Sequence, residues 1–194
     1  MLVSQMFLLG APTSKVADSR LAGTSAAGTS AASAATLSAA IALSDWTNSV
    51  RRDLHKCPEL LYDLNQTSAY VLNILDELNI AYEYPIAGTG LVATIGSGQS
   101  PCVGLRADMD ALPIKEEIEG PFRSRTEGKM HACGHDAHTA MLLTAARILK
   151  ERESSLGGTV KLIFQPAEEG GAGGLSMVQS GILERAPRIE RVVP

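Results

Sequence analysis

The chain has 194 residues, of which 45% are hydrophobic, 20% charged and 4% aromatic, with a formal net charge of −4 at pH 7; this is the profile of one soluble globular domain, or a little more at about 150 residues each. Its Lys and Arg residues form no cluster, so the chain offers nucleic acid no electrostatic footprint, and no run of about 18 strongly apolar residues provides a membrane span. Three cysteines, Cys57, Cys102 and Cys133, are too few and too odd in number for a disulfide framework, which points to a reducing or redox-neutral compartment with at least one free thiol.

Charge is unevenly spread. Met1 to Ser44 contains only Lys15, Asp18 and Arg20, so the last 150 residues carry 15 basic and 20 acidic side chains. From Leu21 to Ala42 the sequence is almost entirely Ala, Ser, Thr and Gly. Such side chains bury too little area to offset the entropy of ordering a backbone, and a disordered stretch is expected. Residues 1–44 are accordingly read as a disordered extension or a targeting segment, with the protein cytoplasmic or organellar rather than secreted. The sequon at Asn65 to Thr67 carries meaning only in a secreted chain.

The folded body is expected over residues 45–194. Trp46, Val50, Leu54 and His55 fall at helical spacing until Pro58 stops the pattern. Asn65 to Thr67 can cap a second helix, whose stripe is Val71, Leu72, Leu75 and Leu78. Strands are expected at Gly90 to Ile95 and Pro101 to Ala107, separated by a turn at Gly96 to Gly98. A third helix begins near Asp136 with Met141, Leu142, Ala145, Ile148 and Leu149 on one face. A buried strand, Thr159 to Phe164, a short helix around Leu175 to Gln179 and a strand at Arg191 to Val193 complete the series. Helix and strand alternating in this way define an α/β fold, a layered, mostly parallel sheet flanked by helices.

Chemistry concentrates in two places. Between His131 and His138 lie three of the four histidines, together with Cys133 and Asp136. Imidazole, thiolate and carboxylate are ligands for zinc, manganese and related divalent ions, and Gly134 permits a tight backbone between them. Taken alone, the loop also admits a helix cap, a core histidine and a buried cysteine. The second place is the pair Glu168 and Glu169, set between an apolar strand and the glycine-rich loop Gly170 to Gly174. Sites in α/β sheets gather at the carboxyl ends of strands, where the Glu pair and Asp108 both fall. One carboxylate of such a pair can ligate a metal while its neighbour handles a proton. Asp108 and Asp110 complete the set, with Arg106 as an alternative salt-bridge partner for Asp108. Gly170 to Gly174 lacks the Lys-Ser/Thr of a phosphate loop, and Gly88 to Gly90 leads into a strand rather than a helix.

The runs Gly104 to Lys115, Gly128 to Leu143 and Phe164 to Gly171 resemble signature segments of the metal-dependent amidohydrolases and metallopeptidases that include hippurate hydrolase, N-acyl-amino-acid amidohydrolases and the plant auxin-conjugate (IAA-amino acid) hydrolases. Arg51, Arg52, His55, Pro58 and Glu59 resemble that family's N-terminal motif. The resemblance implies a zinc-peptidase-like catalytic domain, of which residues 45–194 are the N-terminal portion, and two divalent ions, manganese or zinc, in the complete enzyme. By resemblance Cys133, His135 and Glu169 are metal ligands, Glu168 is the general base and later acid, and Asp108 assists the site. Related members place a metal-binding histidine where this chain has Arg106. The implied reaction is hydrolysis of the amide bond of a small N-acyl amino acid. His131 and His138 are left with supporting or structural roles, His55 with a hydrogen bond at a helix end, and Cys57 and Cys102 with structural ones.

Family members continue further, adding metal-binding histidines and a lid or dimerisation domain, whereas no histidine follows Glu169 here. The expectation is therefore a fragment with little or no activity, dimeric only in a full-length form. The alternative is a non-catalytic metal-binding or scaffold remnant of the same fold. Retention of Glu168, a proton-transfer residue rather than a ligand, favours the enzyme.

Overall fold

The computed structural model describes residues 26–194, so the reading of residues 1–25 lies outside the described residues. Backbone contacts divide the chain after Ala35, and Thr36–Pro194 is the compact unit that carries the sheet. Helix α1 (Ala26–Ala42) occupies much of the stretch expected to be disordered. Alanine has the highest helix propensity of any residue, so this composition winds into helix without needing a core. No core is formed, since Leu37 and Ile41 remain 62% and 63% exposed.

Helix α2 (Ser44–Lys56) buries Val50, Leu54 and His55. Helix α3 (Asn65–Glu77) buries Thr67, Ser68, Val71, Ile74 and Leu75. Its cap comes from upstream rather than from Asn65 to Thr67, because the Glu59 carboxylate accepts the backbone N–H groups of Gln66 and Thr67 at 3.1 and 2.8 Å. A strand that the hydropathy pattern does not reveal follows, β1 (Ala81–Ile86), which forms an antiparallel hairpin with β2 (Gly90–Gly96). It is an edge strand, contains Pro85 and leaves most of its side chains in solvent, so it has no apolar alternation to read.

The remaining elements are β3 (Cys102–Asp108), α4 (His135–Glu151), β4 (Thr159–Gln165), α5 (Gly173–Gln179) and β5 (Arg191–Val193). The described residues form a five-stranded sheet in the order β1-β2-β4-β3-β5. Strands β4, β3 and β5 run parallel, and the β1-β2 hairpin joins them antiparallel through β4, which makes the sheet mixed. Strand β4 thus lies between β2 and β3 despite their closeness in sequence.

Apolar side chains cover both faces. Leu91, Ala93, Ile95, Leu162 and Phe164 pack with α2, α3 and α4, whereas Val92, Ile163 and Cys102 pack with Met177, Ile182 and Ile189. Alternate residues of β2 and β4 therefore serve opposite layers, which is why both strands read as nearly continuous apolar runs. Helix α4 turns Ala140, Leu143 and Ala146 fully inward and leaves Met141 56% exposed. Its buried stripe is rotated from the expected one because alanines, weak in hydropathy, allow close approach to the layers beneath. No helix among the described residues is long and apolar enough to cross a membrane.

Candidate metal centre

Strands β3 and β4 pair in parallel register with Asp108 opposite Gln165, so both end at the same edge of the sheet. The N–H of Met109 donates to the Gln165 carbonyl at 2.9 Å and carries the pairing one residue further. Beyond that edge, Gly134 takes φ +97°, a left-handed turn suited to glycine, and delivers His135 as the first residue of α4. On the β4 side the chain turns through Ala167 at φ +53°, a left-handed conformation unusual for alanine. That strain is held by the N–H of Ala167 on the Leu61 carbonyl at 3.0 Å and the N–H of Gly173 on the Ala167 carbonyl at 2.9 Å. A Cβ at Gly173 would come within 1.7 Å of the Pro166 carbonyl oxygen, so part of the glycine-rich loop serves close packing under this turn.

Buried Asp110 joins the two sides. Its carboxylate oxygens accept the backbone N–H groups of Glu168 and Glu169 at 2.9 and 3.1 Å, and its carbonyl accepts Nδ1–H of His135 at 2.8 Å. Burial alone would raise the pKa of Asp110, but His135 and the two amides hold it below the ordinary carboxylate value. Burial likewise disfavours protonation of His135, yet Asp110 and the charge of Asp108 outweigh it and move that pKa up.

With Nδ1 fixed by the Asp110 carbonyl, Nε2 of His135 faces Oδ2 of Asp108 at 3.5 Å, Oε2 of Glu168 at 3.8 Å and Oε1 of Glu169 at 3.9 Å. These separations are too long for hydrogen bonds. Nε2 of His135 thus converges with three carboxylates without a hydrogen bond to any of them. Oε1 of Glu169 is buried and has no hydrogen-bond partner. Cys133, His135 and Glu169 each offer one ligand atom, all within 4.8 Å of one another, and Asp108, His135 and His138 do the same. Asp108, Asp110, Glu168 and Glu169 bring four carboxylates to this point, and Arg106 neutralises one of them at 2.8 Å from Asp108. Soft and borderline donors, excess negative charge and an orphaned buried carboxylate oxygen together fit a divalent cation.

The sequence-derived residues are therefore brought together, with distinctions. Asp108 does pair with Arg106, and its other oxygen meets Nδ1 of His138 at 2.5 Å. His138, assigned a supporting role, thus lies among the donors. Glu168 is 43% exposed at the side chain and Glu169 20%, so the two adjacent carboxylates occupy different surroundings. Burial, then the carboxylates of Glu169, Asp108 and Glu168, raise the pKa of the Cys133 thiol. His131 lies apart, buried with neither ring nitrogen bonded, and burial pushes its pKa down to about 4. Cys57 is half-buried, Cys102 buried and Cys133 exposed, all three as free thiols.

Sequence reasoning missed Glu116 entirely, because Lys115 to Glu117 reads as an ordinary solvated charge run. Glu116 is only 8% exposed and bonds to His55. His55 does more than end a helix, since its two nitrogens contact two carboxylates from different segments.

The mixed sheet with helices on both faces, and a donor set at the carboxyl edge of its strands, define an α/β domain with a candidate metal centre. The sequence profile of peptidase family M20/M25/M40 matches residues 104–193, which include every donor named above. The chain is 52% identical over 145 residues to the Arabidopsis thaliana IAA-amino acid hydrolase ILR1-like 5, covering 75% of this chain and 33% of that one. It is 46% identical over 136 residues to the Bacillus subtilis N-acetyl-L-cysteine deacetylase, covering 70% of this chain and 33% of the other. Among solved structures, a dinuclear metal-binding M20 peptidase from Bacillus subtilis superimposes with a TM-score of 0.73 at 39% identity, over 78% of this chain and 42% of that one. Over residues 104–193 the chain is thus similar to peptidase family M20/M25/M40, and it spans about a third of the length of the curated relatives.

Proposed function

We propose that this chain carries catalytic and metal-binding residues of an amidohydrolase that cleaves the amide bond of N-acyl amino acids, with IAA-amino acid conjugates and N-acetyl-amino acids as the substrates to try first. The observation that carries the reading is the unequal placement of the Glu168-Glu169 pair around Nε2 of His135. Glu169, the less exposed and with an unpartnered oxygen, suits ligation beside Cys133 and His135. Glu168, more exposed yet facing the same nitrogen, suits a proton carrier that reaches both the ligand sphere and solvent.

A divalent ion held by Cys133, His135 and Glu169 would supply Lewis acidity and activate water near neutral pH. Glu168 would accept the proton of the attacking water on its carboxylate and pass it to the departing amine. Asp110 would hold the backbone of both glutamates and the tautomer of His135 while this happens. Asp108 would act through His138 and Arg106, tying both to the strand end. A dinuclear centre calls for more donors than this first set of three, so we propose that the 194-residue chain holds one ion and hydrolyses slowly.

The test is a Glu168→Gln comparison in the presence of Mn2+ or Zn2+, with N-acetyl-L-cysteine and an IAA-amino acid conjugate as substrates. The expected result is unchanged metal content with hydrolysis abolished. Metal binding without hydrolysis in either protein, even at high protein concentration, would favour the non-catalytic scaffold.

A further inference from the structure

Behind the donor set lies a chain of buried ionisable groups outside it. Nδ1 of His55 is 2.7 Å from Oδ2 of Asp136, and its Nε2 is 3.2 Å from Oε1 of Glu116. The side chains are 6% exposed for His55, 8% for Glu116 and wholly buried for Asp136. Each ring nitrogen of His55 therefore faces a carboxylate oxygen within hydrogen-bond distance, and the imidazole bridges the two acids. His131, whose ring lies 6.3 Å away, offers neither acid a bond.

Each partner of His55 anchors a different segment. Asp136 is the second residue of α4, adjacent to His135, and also receives Nε–H of Arg51 at 3.1 Å. Glu116 belongs to the excursion between Leu112 and Met130, which pair with each other at its base. Its other oxygen accepts the N–H of Ser124 at 2.7 Å, and its carbonyl accepts Arg123 at 2.8 Å. One imidazole therefore fastens α2, the 112–130 excursion and the first turn of α4 at a single point.

We propose that His55 is a positioning residue of the metal centre: a buried clasp between Asp136 and Glu116 that fixes the first turn of α4, and with it the aim of His135. The inference rests on the metal-binding reading given above. His55 touches neither substrate nor ion and acts through Asp136. Groups that orient metal ligands typically change metal affinity about 10- to 100-fold when removed.

Mn2+ titrations of two variants of the full 194-residue chain test it. Calorimetric titration with Mn2+ should show affinity at least about tenfold weaker in His55→Gln, with helix content retained. The milder Glu116→Gln, which keeps an acceptor oxygen and loses only the charge, should weaken Mn2+ affinity by less than His55→Gln and keeps the test open if the first variant folds poorly. A purely structural His55 would lower the unfolding temperature and leave the Mn2+ affinity of the folded variants unchanged, which sinks the inference alone. Failure of the unsubstituted chain to bind Mn2+ would sink the proposed function together with it.

Discussion

Oδ1 of Asp110 accepts the backbone N–H of Glu168 at 2.9 Å, so a residue just past the end of β3 dictates where the candidate proton carrier past the end of β4 can sit. The same carboxylate holds Glu169 and the same residue's carbonyl holds His135, so three site residues depend on one aspartate. Asp110→Ala leaves two backbone donors without their partner and should cost about 1–3 kcal/mol of stability. It should also weaken Mn2+ binding by about tenfold or more. Asp110→Asn keeps one acceptor oxygen and should fall between the two proteins in both respects, as measured by urea denaturation and calorimetry.

Glu116 gives the fold a defined acid sensitivity. Burial would raise its pKa, but the Ser124 amide and His55 outweigh that and hold it below the ordinary glutamate value. A carboxyl whose folded pKa is depressed adds stability that is present above its unfolded pKa and is lost as pH falls through the folded one. The loss should therefore begin below about pH 4.3. Denaturation at a series of pH values should show a shallower acid decline in Glu116→Gln than in the unsubstituted chain. Identical slopes would contradict the assignment.

The core makes a prediction independent of the metal. Phe164 lies on β4, the strand paired on both sides by β2 and β3, and is fully buried. Phe164→Ala should cost about 3–5 kcal/mol in urea denaturation, the range for deleting a buried aromatic ring. Leu37→Ala on α1, whose side chain is 62% exposed, should change stability by less than about 0.5 kcal/mol.

Much of this architecture is legible in the residues alone. Strands β2, β3 and β4 announce themselves because both faces of the sheet are covered, and α2 and α3 because each has one buried stripe. Strand β1 is silent, since an exposed edge strand has no buried face to write into its sequence. Helix α1 misleads because the alanine and serine that signal weak burial are compatible with helix. The histidine-cysteine loop and the Glu168-Glu169 pair are visible from local clustering, whereas the choice of Cys133, His135 and Glu169 as ligands comes from the family resemblance. Relationships across long separations are not. Nothing near Glu116 indicates a buried partner 61 residues upstream, and nothing near Asp110 indicates that it holds amides 58 residues downstream. Register and topology alone create those pairs.

The central claim is that Cys133, His135 and Glu169 together hold a divalent ion. Calorimetric titration of Mn2+ into the 194-residue chain and into Cys133→Ser, His135→Ala and Glu169→Ala tests it most directly. One ion per unsubstituted chain is predicted, with affinity at least about tenfold weaker in each variant. Undiminished binding in the three variants, or none in the unsubstituted chain, would contradict the account.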